Sequence, residues 1–242
     1  SKRAQGLDAP TPTPLVLEGG ELTTLAIAYL PALDSPAGVV LTPSFEDITT
    51  NRTQPYAFGG QLRSDRGAYS GCVVRPRVVG SVAQALFDEA TLAQVPGIQW
   101  LFQRSRNFHE PAPMIPRGFY LFGDYAFQRE LEGTPGVLSP EAQSLNVASL
   151  YFLQDAGRTG YSGVWTTSPL ASPLLDDAPP KVLFGYPERG ATWTSRHGVM
   201  TAVQPPALGF RELPGGVFET SEVLGLTGML GGPLCIRRDG GN

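Results

Sequence analysis

Apolar residues in this chain occur mostly in short runs cut by proline and glycine, the rhythm of β-strands joined by turns. Thr23-Thr-Leu-Ala-Ile-Ala-Tyr-Leu30, closed by Pro31, predicts a first strand. Residues 37–53 predict a strand, a turn at Pro43 and a second strand starting near Asp47. Tyr69 to Val79 predicts a strand carrying Cys72, and Gly118-Phe-Tyr-Leu-Phe-Gly123 another. Between them, Val82, Leu86, Phe87 and Ala90 fall at helical spacing behind Ser81, which predicts a helix over 81–94. Residues 1–20, with Pro10, Pro12, Pro14 and Gly19-Gly20, read as an extended leader or linker.

Composition sharpens that picture. The 242 residues include 29 glycines and 23 prolines, which argues for many turns and against a helical bundle. The length allows one two-layered or two-barrel domain with a sizeable core. No apolar run reaches the roughly 18 residues of a membrane-spanning helix, so no span is expected. With a net charge of −4 and no basic block, nucleic acid is not an expected partner. Of the 18 basic residues only Lys2 and Lys181 are lysines, a bias that points to genome composition rather than a binding surface. Cys72 and Cys235 are compatible with one disulfide or with two buried thiols, since their separation carries no spacing signature. His109 and His197 are the only histidines and neither has ligand spacing around it, so no metal and no cofactor is expected.

Near the end of the chain stands Gly228-Met-Leu-Gly-Gly-Pro-Leu234. It resembles the nucleophile loop of the trypsin-like serine proteases, Gly-Asp/Asn-Ser-Gly-Gly-Pro-Leu, with Leu230 in the place of the serine. Other blocks fall in the family's order. Gly38, Val40, Pro43, Ile48, Thr50 and Asn51 follow the bacterial trypsin-like pattern that ends on the general-base histidine, which falls on Thr53. Aligned instead to the animal-type Thr-Ala-Ala-His pattern, Phe45 takes that place. Leu145-Asn-Val-Ala-Ser-Leu resembles the strand carrying the triad aspartate, whose position holds Asn146. Pro180-Lys-Val-Leu-Phe-Gly-Tyr-Pro-Glu-Arg-Gly190 and Gly198-Val-Met-Thr-Ala-Val203 resemble strands of the second barrel.

The resemblance implies an all-β, mostly antiparallel double barrel over 21–242: a first barrel about 21–155 and a second about 178–242. Thr53 and Asn146 lie further apart than the family pattern requires, so a partly helical insertion about 54–140 is expected in the first barrel. The family's last strand has no counterpart before Asn242. The implied triad reads Thr53 (or Phe45), Asn146 and Leu230. A leucine has no lone pair to attack with, and neither Thr nor Phe acts as a base near neutral pH. Backbone donors at Gly228 and Leu230, with Gly231 and Gly232, would remain of an oxyanion loop. Cys235 and Ser162 are better read as structural than as replacement nucleophiles. Three functions compete. The first is a non-catalytic binding or scaffold domain with a protein or peptide partner, met by the 54–140 stretch. The second is an active hydrolase with its catalytic residues elsewhere. The third is a structural domain of a larger extracytoplasmic protein. The resemblance also implies a location outside the cytoplasm.

Overall fold

The computed structural model describes residues 26–27, 46–47, 53–88, 90–91, 93–105, 112–133, 138–157, 181–187, 198–203, 210–213, 216–220 and 228–236. Among them the dominant feature is a six-stranded antiparallel sheet. Its strands are β3 (Gly59–Ser64), β4 (Gly67–Arg75), β5 (Val78–Ser81), β8 (Gln99–Phe102), β9 (Gly118–Leu121) and β10 (Ala148–Tyr151). They lie in the order β8-β3-β4-β5-β10-β9. Its ends are linked by an isolated bridge in which Trp100 of β8 pairs with Met114, just ahead of β9.

Alternation decides which side chains fill this sheet's concave side. Leu62, Val73, Val79, Trp100 and Leu150 are fully buried there. The Trp100 indole N–H donates to Ala156 O at 2.8 Å, so its one polar atom is satisfied inside the core. A side chain at Gly60 would run into the Trp100 ring, which explains a glycine on that strand.

The strand expected at 69–79 is longer and broken: β4 and β5 form a hairpin turning at Pro76-Arg77. The helix expected over 81–94 does not form. Ser81 ends β5, a 3-10 turn covers Ala83–Ala85, and β6 (Phe87–Asp88) pairs with β7 (Ala93–Gln94). Ala83 and Ala85 are both fully buried, a two-residue spacing that no single helix face provides. The Asp88 carboxylate also accepts from the Ala90 N–H at 2.9 Å, closing a local turn in place of a helical bond. Within the 54–140 stretch lie β3, β4, β5, β8 and β9, five of the six strands of this sheet. The helices fall at α1 (Gly123–Glu132) and α2 (Pro140–Leu145), between β9 and β10. Among the described residues no helix is long and apolar enough to cross a membrane.

A second, four-stranded sheet runs in the order β15-β11-β12-β2, with β11 (Lys181–Gly185), β12 (Thr201–Val203), β15 (Leu234–Ile236) and β2 (Glu46–Asp47). A third joins β1 (Ala26–Ile27) to the hairpin of β13 (Arg211–Leu213) and β14 (Val217–Glu219). Both described strands ahead of residue 50 therefore pair with strands of the C-terminal half, not with the six-stranded sheet expected to hold them. Phe184, Tyr186, Met200 and Ala202 are buried with Tyr56 in a second core. The two cores meet at Gly59, where an added Cβ would lie 2.6 Å from the Phe184 ring and 2.8 Å from Met200 Sδ.

Candidate functional site

The loop 228–232 sits on the seam between these sheets. Gly228 (φ +92°) and Gly231 (φ +86°) hold left-handed backbone, which glycine adopts without strain. The Gly232 N–H donates to Met229 O at 2.8 Å, closing the turn. Met229 is fully buried and Leu230 half-buried.

Two serines of the six-stranded sheet anchor the loop. The Ser70 backbone N–H donates to Leu230 O at 2.8 Å. The Ser70 hydroxyl donates to Gly228 O and accepts from the Tyr186 N–H, both at 2.8 Å. The Ser81 hydroxyl donates to Ser70 O at 2.8 Å, and a side chain at Gly231 would run into both Ser70 O and Ser81 Oγ. The loop thus packs against Ser81, three residues before Gln84.

Gln84 and Asn146 form a reciprocal pair. The Gln84 backbone N–H donates to Asn146 Oδ1 at 3.1 Å, and Asn146 Nδ2 donates to Gln84 Oε1 at 3.1 Å. Asn146 ends α2 immediately before β10, while Gln84 lies in the 3-10 turn after β5. The antiparallel pairing of β5 with β10 brings the two turns together. Both side chains are carboxamides, which exchange no proton near neutral pH.

Thr53 is the residue expected beside Asn146. It is exposed and its carbonyl accepts the Ala57 N–H at 2.9 Å, ahead of the 3-10 turn Tyr56–Phe58. Phe45, Ser162, His109 and His197 lie outside the described residues. Cys72 and Cys235 are both reduced thiols, the first buried and the second half-buried. Burial, with the added effect of the Cys72 charge, pushes the Cys235 thiol well above the usual thiol range, so it is protonated at neutral pH. Among the described residues no group of His, Cys, Asp and Glu is placed to hold a metal ion.

No protein-family model matches this chain, and no curated protein matches it by sequence. Solved structures do match. A Glu endopeptidase in complex with MPD superposes with TM-score 0.61 at 14% identity, covering 83% of each chain. The protease Anisep from Arthrobacter nicotinovorans gives 0.54 at 13%, covering 81% of this chain and 83% of its own. The thermostable serine protease AL20 from an extremophilic microorganism gives 0.52 at 13%, covering 76% and 80%. The chain has a trypsin-like fold. At such identities that statement concerns architecture alone: an all-β, mostly antiparallel trypsin-like protein.

Proposed function

We propose that this protein is a non-catalytic trypsin-like serine protease homologue that acts as a binding or scaffold domain for a protein or peptide. The observation that carries this reading is the Gln84–Asn146 pair beside the loop that bears Leu230. In a serine protease triad a hydroxyl attacks, an imidazole takes its proton and a carboxylate fixes the imidazole. The reading puts Leu230, Gln84 and Asn146 in those three roles, so nucleophile, base and carboxylate are all absent. Gln84 thereby replaces Thr53 and Phe45 as the residue in the base position.

Exposed apolar side chains support the binding half. Tyr120, Phe127 and Leu131 are 52%, 61% and 64% exposed, and Phe127 and Leu131 share one face of α1. They lie in the stretch from which partner recognition was expected. A location outside the cytoplasm belongs to the same proposal.

A fluorophosphonate probe tests the catalytic half. The native chain remains unlabelled, and a labelled native chain overturns the reading in favour of an active hydrolase with its nucleophile elsewhere. Leu230→Ser alone also stays unlabelled, because Gln84 takes no proton. Adding Gln84→His and Asn146→Asp to Leu230→Ser produces labelling; adding Thr53→His in place of Gln84→His does not. For the binding half, saturable capture on a peptide array is expected and is weakened by Phe127→Ser/Leu131→Ser.

A further inference from the structure

The seam between the two sheets holds one thiol from each side. Gly59 of β3 pairs with Cys72 of β4, so the two lie side by side on one face of the six-stranded sheet. That face looks onto the four-stranded sheet, because a Cβ at Gly59 would touch Phe184 and Met200. Ser70, two residues before Cys72 and therefore on the same face, bonds the Tyr186 N–H and Gly228 O across the seam. From the other side, Cys235 of β15 pairs with Val182 of β11, two residues before Phe184. It packs against the cluster that contains Phe184 and Met200. Cys72 is thus one cross-strand step from the Gly59–Phe184 contact, and Cys235 one cross-strand step from Val182, two residues along β11 from it.

We propose that Cys72 and Cys235 form a reversible disulfide that ties the six-stranded sheet to the four-stranded sheet. The electrostatic influence of Cys72 on Cys235 agrees with this proximity. The oxidant is a low-molecular-weight disulfide. Cys235, the more accessible thiol, loses its proton to solvent and attacks one sulfur, expelling the first thiolate and leaving a mixed disulfide. Cys72 loses its proton and attacks the Cys235 sulfur, expelling the second thiolate. Two protein thiols are oxidised, one small disulfide is reduced to two thiols, and the two released protons end on those thiols. Because burial holds Cys235 protonated, the first step accelerates as pH rises. The bond is independent of whether the site is catalytic. In an oxidising compartment it would be closed, and in a reducing one open.

The test is incubation of the full chain with oxidised glutathione at about pH 8.5, followed by acid quench, denaturation, alkylation with iodoacetamide and intact-mass measurement. The expected product is a monomer two hydrogens lighter, carrying neither alkyl group nor glutathione. Its Tm rises by about 10 °C over the reduced chain, and dithiothreitol reverses the rise. Refolding in a glutathione redox buffer gives the same product and removes any barrier of access. A Cys72→Ala variant stops at the mixed disulfide on Cys235. The proposal is overturned if refolded native chain carries two alkyl groups, keeps glutathione on Cys235, or links into dimers.

Discussion

The Ser70 hydroxyl accepts the Tyr186 N–H and donates to Gly228 O, so Ser70→Ala takes a partner from two groups in the other half of the chain. Both bonds are buried. The expected loss is about 2 to 4 kcal/mol, read as a lower urea midpoint at unchanged m-value. At this scale the sequence was partly legible. The glycines of the 228–232 turn are where the resemblance to a nucleophile loop put them, because left-handed backbone and close packing restrict those positions to glycine. Gln84 was missed. Ser81-Val-Ala-Gln84 follows a strand as the Thr-Ala-Ala-His pattern would, but glutamine in the last place hides it from a search for histidine. The apolar spacing around it also imitates a helix.

Among the elements, the β6–β7 hairpin carries an acid-sensitive contact. The Asp88 carboxyl is held below its usual range first by the Ala90 N–H, with the Arg66 guanidinium 2.7 Å away adding to it. A carboxyl with a lowered folded pKa stabilises the fold above its unfolded pKa and loses that contribution as pH falls through the folded value. Amide exchange protection in this hairpin is therefore constant through neutral pH and falls below the ordinary carboxylate range; Asp88→Asn abolishes the acid-dependent step. In the C-terminal half β11 and β12 were legible through their resemblance to strands of the second barrel. In the six-stranded sheet β4, β5, β9 and β10 overlap expected strands, whereas β3 and β8 were not legible. They carry glycine, arginine and glutamine at positions where the partner is a tryptophan ring or another strand, and such tertiary contacts leave no periodic trace.

For the molecule as a whole, the contact at Gly59 governs how closely the two halves approach. Gly59→Ala presses a methyl group against Phe184 and Met200 and should cost about 1 to 3 kcal/mol, measured by thermal unfolding. Gly118→Ala, where an added Cβ meets nothing within 4 Å, serves as the neutral control. The pairing of β1 with β14 and of β2 with β12 has a consequence of timing. On the ribosome, residues 26–27 and 46–47 emerge early but their partner strands, near 201–203 and 217–219, emerge late. The six-stranded sheet draws all its strands from 59–151 and has its full set of partners well before then. Translation thus leaves the first two described strands to be among the last to pair, each closing a loop of well over a hundred residues.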